Sequence, residues 1–366
     1  MKKTNYSLMT TIIGMCVFVF TSCQKTSDPS PSVGTGSSGA TNYTQGILIS
    51  NEGSFGNNNG SISFYHSSTN GVSNEVFSTI NNRPLGDVVQ SVSIAGSSTY
   101  MCVNGSNKIE VVNASTFEEQ ATITGVDQPR YLISNGNTGY VSCWGNGGVI
   151  TMIDLSTNTT SGTIAVGSGP EKMVVNNGHL YVANSGGFGL DSTISVIDLS
   201  SNTVTTTISL NGYNPSAIVN GSGNTIWVLA KGQVIYDATW TVIGHHPAKL
   251  IAINTSTNLV MNTTTLFATD HPSNMDISPD LSTLYFGGSY GFPAIYTTST
   301  ASPTTPTAFI AQSNYGFFVN QNNGNLFVME HAGGANGTLY RYDASANKLG
   351  EYTVGIFPSN GAKIKL

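Results

Sequence analysis

Residues 169–200 read GPEKMVVNNGHLYVANSGGFGLDSTISVIDLS, and this stretch decides the fold. Three short segments, at 169–175, 180–184 and 194–200, have the apolar content of β-strands and are separated by turn residues. The dipeptide Asn177-Gly178 lies between the first two segments. Both of its residues tolerate a positive φ, so it predicts a tight hairpin. The stretch therefore predicts an antiparallel meander of short strands.

The same pattern recurs along the chain. When the segments are aligned on Tyr181, the equivalent positions are spaced 52, 40, 41, 46, 58 and 42 residues apart. Repeats of this size that contain only strand patterns are typical of four-stranded propeller blades. The sequence therefore predicts an all-β protein with the fold of a seven-bladed β-propeller. The aligned positions are Leu48, Tyr100, Tyr140, Tyr181, Trp227, Tyr285 and Phe327.

The two ends of the repeat array complement each other. The first repeat lacks an inner strand, because residues 46–51 already correspond to the second strand of the later repeats. Residues 357–364 have the character of the missing strand. An open ring would expose two blade faces to water, so we expect the C-terminal strand to complete the first blade. Residues 44–366 would then form one domain.

Charged residues are few. The chain has 13 Lys and Arg against 19 Asp and Glu, 9% charged residues, and 41 Gly. This composition is typical of an extracytoplasmic β-protein with many turns. The acidic balance argues against nucleic acid as a partner, since phosphate neutralisation needs clustered Lys and Arg and the sequence contains no such cluster.

The N-terminus has the pattern of a lipoprotein signal peptide. Two lysines precede an apolar run at 8–20, which is shorter than the about 20 residues that a spanning helix needs. The run leads into Phe-Thr-Ser-Cys, which resembles a lipobox. We expect residues 1–22 to be removed, Cys23 to carry the lipid, and residues 23–43, rich in Ser, Thr, Pro and Gly, to form a flexible tether. The alternative is an ordinary secretory signal with a chance cysteine.

Two cysteines fall inside the predicted domain. Cys102 and Cys143 lie on equivalent strands of neighbouring repeats, but one position out of phase. Because side chains alternate along a strand, their thiols should face opposite ways. We expect two buried free thiols, with a disulfide as the alternative, and no zinc site with the ligands visible here.

The loops of the two predicted rims differ. Turns between the first and second strands, and between the third and fourth, are short and similar, whereas the other loops vary in length and carry aromatic residues. Variable loops on a rigid scaffold are where binding usually occurs. Each aromatic has packing against the next blade as its alternative role, and each cation has solvation or pairing with a carboxylate. The candidate ligand-binding residues are Phe55, Arg130, Trp144, Lys172, Phe188, Tyr213, Tyr236, Trp240, His245, Tyr290, Phe292, Tyr315 and His331.

The composition of these loops points to binding rather than catalysis. A wide, aromatic, Gly- and Asn-rich and weakly charged surface suits a bulky neutral or amide-bearing ligand. Residues 287–291 match the G-x-S-x-G pattern around Ser289, but that motif needs a strand-to-helix turn and a strand is predicted to follow. We expect no catalytic residue, no metal site, no cofactor and no enzymatic activity.

Two sets of motifs carry a resemblance to a known family. YVAN at 181–184 and ISVID at 194–198 resemble the YVTN repeat of the YncE-like seven-bladed propellers. The opening, LISNEGSFG at 48–56 with GSISFY at 60–65 and LGDVVQS at 85–91, resembles the surface-anchored YncE-like lipoproteins, which include BtuG-type cobalamin-capturing proteins. The resemblance covers essentially the whole domain.

The resemblance implies a function and a location. It implies a lipid-anchored outer-membrane protein, displayed at the cell surface, that captures cobalamin or a related corrinoid for a TonB-dependent transporter. One alternative keeps the anchor and makes the rim a protein-interaction or adhesion module with no small-molecule ligand. Another is a periplasmic hydrolase or quinoprotein.

Overall fold

The computed structural model describes residues 41–362, and within them the chain forms seven four-stranded antiparallel sheets and one two-stranded sheet. The seven-bladed β-propeller that the repeat predicts is confirmed. The predicted signal peptide, Cys23 and most of the predicted tether lie outside the described residues, as do residues 363–366. No helix in the described part of the chain is both long and apolar enough to cross a membrane.

The blades follow one another in chain order. Blade 1 contains β1 (Gly46–Asn51), β2 (Ser61–His66) and β3 (Gly71–Ser73), and α1 (Val76–Asn81) follows it. Blade 2 contains β4 (Val89–Ala95), β5 (Ser98–Val103), β6 (Lys108–Asn113) and β7 (Glu119–Ile123). Blade 3 contains β8 (Pro129–Asn135), β9 (Thr138–Cys143), β10 (Val149–Asp154) and β11 (Thr159–Ala165). Blade 4 contains β12 (Pro170–Asn176), β13 (His179–Asn184), β14 (Thr193–Asp198) and β15 (Thr203–Ser209).

The second half of the ring contains the one large insertion in the described chain. Blade 5 contains β16 (Pro215–Asn220), β17 (Thr225–Ala230), β20 (Ala248–Asn254) and β21 (Leu259–Phe267), with the hairpin β18 (Gln233–Tyr236) and β19 (Val242–His246) inserted between β17 and β20. Blade 6 contains β22 (Asn274–Ile277), β23 (Thr283–Gly287), β24 (Ile295–Ser299) and β25 (Thr307–Ile310). Blade 7 contains β26 (Gly316–Val319), β27 (Leu326–Ala332), β28 (Ala335–Tyr342) and β29 (Lys348–Ile356), and β30 (Pro358–Ala362) comes last.

The C-terminal strand closes the ring. β30 pairs antiparallel with β1, with Ala362 opposite Leu48 and Pro358 opposite Asn51. All six residues of β1 are buried, because β30 and β2 pair with its two edges and the neighbouring blades cover its two faces. The predicted completion of the first blade by the C-terminal segment is therefore confirmed.

Each interface between neighbouring blades has its own apolar core. The described residues form seven buried apolar clusters, one for each of the seven interfaces. Side chains alternate along each strand, so one strand serves two clusters. In β13, Tyr181 and Ala183 pack against blade 5, whereas Leu180 and Val182 pack against blade 3.

At three of these interfaces a tyrosine hydroxyl forms a hydrogen bond with the next blade, and we call this contact a latch. The tyrosine of the second strand donates a hydrogen bond to an asparagine Oδ1 in the turn between the third and fourth strands of the next blade. Each asparagine has a left-handed backbone conformation, which asparagine adopts more readily than most residues because its short polar side chain can form local hydrogen bonds. The latches are Tyr100 to Asn158 (2.9 Å, φ 54°), Tyr140 to Asn202 (2.7 Å, φ 55°) and Tyr181 to Asn258 (2.8 Å, φ 57°).

Both predicted thiols are buried and free, as expected. They face opposite sides of their own sheets, yet they share one apolar cluster, because opposite faces of neighbouring blades are the faces that pack together. Burial raises the pKa of Cys102 to about 12 and the pKa of Cys143 to about 11.

The inner strands begin with a recurrent irregularity that sets the geometry of the channel. The residue before each of four inner strands has a left-handed φ: Val88, Gln128, Asn214 and Phe357. The pairing register then shifts within the first residues, as between Pro129 and Leu132 in β8. Such a bulge redirects side chains.

Candidate functional site

Loops from several blades meet at one mouth of the channel and enclose a cavity of about 380 Å³, which we call the mouth cavity. Its walls come from the loops between second and third strands and from the first residues of the inner strands. Six of the predicted residues line it: Phe55, Arg130, Trp144, Lys172, Phe188 and Tyr315. Twelve further residues line it that were not among the candidates, and those that the following paragraphs use most are Glu52, Gln90, Glu171, Ser216, Lys231 and Asn274.

Arg130 is the best-anchored cation of the mouth cavity. Its guanidinium donates to Glu171 Oε1 at 2.8 Å and to Gln90 Oε1 at 2.5 Å, and lies over the indole of Trp144 at 4.2 Å. The Arg130 and Glu171 side chains are only 16% and 8% exposed. A planar guanidinium suits this combination of a carboxylate partner and an aromatic face. The pairing role that the sequence left open for Arg130 is therefore the one observed.

Lys172 reaches across the channel. It extends from β12 in blade 4 and donates to Asn274 Oδ1 in blade 6, while Asn274 Nδ2 donates to the carbonyl of Phe317 at 2.7 Å. Burial lowers the pKa of Lys172 and raises the pKa of nearby Asp276, which accepts two backbone hydrogen bonds. Desolvation disfavours the charged form of both groups, although the attraction between the two opposite charges favours it.

Lys231 lies where β17 ends, and its backbone is held on both sides. Its N–H donates to the carbonyl of Asn214 at 3.1 Å, and its carbonyl accepts a hydrogen bond from His271 Nδ1 at 2.8 Å. Its ammonium group has no hydrogen-bond or ion-pair partner among residues 41–362. Burial lowers the pKa of Lys231.

The far side of the mouth is acidic and aromatic. The Tyr315 hydroxyl donates to Glu52 Oε2 at 2.8 Å. Burial raises the pKa of Glu52, and the Tyr315 hydrogen bond opposes this shift only in part. Tyr290, Tyr315 and His331 cluster with Phe357, with ring centroids 4.8 to 5.8 Å apart.

A second cavity of about 340 Å³ adjoins the mouth cavity, because Phe188, Lys231 and Ser273 line both. Tyr236 of the β18–β19 hairpin lines its outer wall. Ser289 also lines it, but β23 ends before Ser289 and β24 is the next element, so the strand-to-helix turn of a nucleophile elbow does not form there.

The remaining predicted residues line neither cavity. The rings of Tyr213 and His246 pack at a tilt with their centroids 4.2 Å apart, and those of Trp240 and Tyr236, near the hairpin tip, lie 5.9 Å apart. His245 Nδ1 lies 3.0 Å from His271 Nε2. Phe292 is buried against Phe267 and Tyr296, which is the packing role that the sequence left open for such aromatics. Among the described residues, no group of three or more His, Cys, Asp or Glu side chains has the arrangement of a metal site.

The missed residues do carry a sequence signal. Five residues that line the mouth cavity come directly after a proline at or near the start of an inner strand: Arg130, Glu171, Ser216, Ser273 and Ser359. In β8, β12 and β16 the pairing register shifts at this point, which redirects the side chains of Arg130, Glu171 and Ser216. The position after this proline therefore identifies five of the 18 residues that line the cavity, and four of the five were not among the candidates.

Comparison with known proteins supports the fold and leaves the ligand open. No curated protein matches the chain. Hydrazine synthase from Kuenenia stuttgartiensis is similar to it, with 17% identity over 80% of this chain and 89% of that chain and a TM-score of 0.60. A putative 6-phosphogluconolactonase from Bacteroides fragilis has 14% identity over 88% and 98% of the two chains and a TM-score of 0.65. A functionally unknown protein from Desulfotomaculum acetoxidans has 12% identity over 87% and 98%, with a TM-score of 0.64.

At such identities the similarity shows the propeller fold alone. The family whose sequence pattern matches is described as "Domain of unknown function (DUF5074)", and the match covers residues 45–360, which is nearly the whole ring. The chain therefore belongs to the DUF5074 family.

Proposed function

We propose that this protein captures a bulky small molecule at the mouth of its channel without transforming it, and that the ligand is cobalamin or a related corrinoid. One observation carries the proposal: exposed aromatic rings and convergent hydrogen-bonding side chains meet in the same cavity. Phe55 and Phe188 are 87% and 96% exposed, and they stand beside the Arg130 and Lys172 side chains. Exposed aromatics beside a polar cavity are typical of ligand recognition.

The size of the site also supports a bulky ligand. The mouth cavity and the second cavity share Phe188, Lys231 and Ser273, so a ligand larger than either cavity can extend across both. A corrinoid has a broad ring that can stack on aromatic side chains, and its peripheral amides can bond to Asn, Ser and Gln side chains. The resemblance of the opening motif to BtuG-type proteins favours the same ligand.

The delivery step forms part of the same proposal. A lipid on Cys23 would anchor the protein at the outer membrane and display it at the cell surface, and a tether would let the mouth approach a TonB-dependent transporter. The sequence around Cys23 and the resemblance support this step.

The direct test is calorimetric titration of cyanocobalamin into residues 24–366. We expect saturable binding that Phe188→Ala weakens, because Phe188 lines both cavities. Leu259→Ala is the matched control, since Leu259 is an exposed apolar residue that lines neither cavity. No heat of binding at micromolar protein would remove the corrinoid assignment, and equal losses in both variants would remove the mouth as the site.

The hairpin favours one second candidate, a protein-interaction module. Tyr236, Trp240, Val242 and Ile243 of the β18–β19 hairpin and its tip are all exposed, which is unusual for a soluble surface. Replacing residues 233–246 with a short Gly linker should abolish pull-down of outer-membrane proteins if this candidate is correct. If wild type binds a corrinoid and it captures no protein that the variant without the hairpin fails to capture, this candidate fails.

A further inference from the structure

The mouth cavity contains more hydrogen-bond donors than the protein satisfies. Within residues 41–362, the buried Arg130 Nε and Trp144 Nε1 groups have no protein partner, and the Lys231 ammonium has none. The Ser216 hydroxyl also has no partner, although this residue is only 7% exposed. All four residues line the mouth cavity. The three buried donors, on Arg130, Trp144 and Ser216, would normally be paired, so their concentration at one site favours a ligand that brings acceptors.

We propose that the mouth cavity contains an oxyanion subsite, formed by Lys231, Ser216 and Lys172 on blades 4 and 5, which binds a carboxylate or phosphate group of the ligand. The proposal rests on the proposed function, in which the mouth binds a small molecule. It specifies in addition that one part of that molecule is negatively charged.

Lys231 is the centre of the subsite. The Lys231 ammonium has lost part of its hydration without gaining a direct hydrogen-bond partner among residues 41–362, which disfavours its charged form. The His271 and Asn214 hydrogen bonds fix the backbone on both sides of this residue, so the side chain begins from a rigid point. An oxyanion beside Lys231 would supply the missing partner through a charge-assisted hydrogen bond.

Lys172 supports the same subsite from the neighbouring blade. Its one protein hydrogen bond goes to Asn274 Oδ1, so two of its three ammonium donors remain available. Ser216 lies in the first residues of β16 and adds a buried hydroxyl that can donate to an oxyanion. Three donors from two adjacent blades then face one cavity.

The carboxylates of the mouth do not cancel these lysines directly. Glu171 is bonded to Arg130 at 2.8 Å, and Glu52 is bonded to Tyr315 in blade 7, on another part of the ring. Asp276 lies near Lys172 but accepts hydrogen bonds from the N–H groups of Val319 and Ile277. Among the charged groups that line the mouth cavity, Lys231 is therefore the one without a direct partner.

The test uses residues 24–366 and the indole N–H resonance of Trp144, followed by NMR. Inorganic phosphate and citrate are titrated separately at constant ionic strength, with sodium chloride as the reference. We expect a saturable shift of the Trp144 signal with at least one of the two anions, while the Trp227 and Trp240 signals, which do not line the cavity, stay in place. A phosphate response and a citrate response distinguish the two oxyanion classes.

The substitution Lys231→Met should weaken anion binding by about ten-fold or more, because it removes a charge-assisted hydrogen bond. Lys231→Arg, which keeps the charge, should restore part of it. Lys249→Met is the matched control, since Lys249 bonds to Asn211 and lines neither cavity, and it should change binding by less than about two-fold. Unchanged thermal unfolding of Lys231→Met verifies that the variant folds.

The outcomes separate this inference from the proposed function. If phosphate or citrate binds but cyanocobalamin does not, the subsite stands and the corrinoid assignment fails. If cyanocobalamin binds with equal affinity to wild type and Lys231→Met, and neither anion gives a saturable shift, the subsite is overturned while the proposed function stands. A saturable shift that Lys231→Met and Lys249→Met reduce equally would also overturn the subsite.

Discussion

The two rims of the propeller use their polar side chains in opposite ways. On the rim formed by turns between third and fourth strands, which we call the turn rim, the Asp198 carboxylate accepts hydrogen bonds from the N–H groups of Ser200 at 2.8 Å and Ser201 at 3.0 Å. At the mouth cavity on the other rim, Trp144 Nε1 and Lys231 Nζ have no partner among the described residues. One rim satisfies its polar groups locally, and the other leaves several available.

The difference between the rims indicates which residues contribute to stability and which contribute to binding. Both rims are built on the same seven sheets, so the fold itself does not create the difference. Turn-rim carboxylates are satisfied within three or four residues, as Asp343 is by the N–H groups of Ser345 and Asn347. We therefore expect turn-rim substitutions to change stability alone, and most mouth substitutions to change binding alone. The predictions below test that division.

The largest expected effect is an exception to this division, because Arg130 lines the mouth cavity but its substitution should change stability. Arg130→Met should destabilise the protein by about 3–5 kcal/mol, because it leaves the buried Glu171 carboxylate without its partner. Chemical denaturation measures the loss. The double variant Arg130→Met with Glu171→Leu should lose much less than the sum of the two single changes. Additive losses would mean that the pair is not coupled as its geometry indicates.

The next effect tests the interblade latches of the turn rim. Tyr181→Phe should cost about 1–2 kcal/mol, because it leaves Asn258 Oδ1 and the carbonyl of Thr255 without the hydroxyl. Tyr285→Phe is the matched control: Tyr285 is equally buried in blade 6, and its hydroxyl makes no hydrogen bond to the described residues, so its change should stay within about 0.5 kcal/mol. Equal losses in urea denaturation would refute the latch.

One carboxylate from each rim, Asp198 on the turn rim and Glu52 at the mouth, should respond to pH with opposite signs. Hydrogen bonds from Ser200 and Ser201 lower the pKa of Asp198 from 3.8 to about 2, so its contribution to stability is present above pH 3.8 and is lost as the pH falls toward 2. Burial raises the pKa of Glu52 above 4.5, so its contribution declines as the pH rises through the range above 4.5.

Denaturation midpoints measured from pH 2 to pH 8 test these signs. Asp198→Asn should reduce the fall of the denaturation midpoint below pH 3.8. Glu52→Gln should raise the free energy of unfolding at neutral pH and have little effect below pH 4. A neutral-pH loss of stability in Glu52→Gln would show that the charged form of Glu52 is favoured in the fold.

The smallest expected effect is on stability at the exposed edge of the mouth. Phe188→Ala should change the free energy of unfolding by less than about 0.5 kcal/mol, because its ring is almost fully exposed. The same variant should weaken ligand binding. A large loss of stability with unchanged binding would place Phe188 among the packing residues and would contradict the division between the rims.

Much of the mouth could be located from the sequence, but its chemistry could not. Loop length and aromatic content selected Phe55, Trp144 and Phe188, which line one cavity, and their predicted role in ligand binding stays a prediction. The same signals also predicted Phe292, which is buried between other rings, because an aromatic in a loop has the same pattern whether it packs or faces solvent. Lys231 lies in the longest variable loop but was not among the candidate residues, because a single lysine at the end of a strand has no distinctive pattern.

The sequence by itself determined the number of blades, the strand meander and the closure by the C-terminal strand, because alternation and turn residues act over a few neighbours along the chain. Only the tertiary structure decided which polar groups meet at the channel. Glu52 and Tyr315 are 263 residues apart and touch because the ring closes, and Lys172 reaches Asn274 only across the channel. Such contacts depend on distances between blades, which no local pattern encodes.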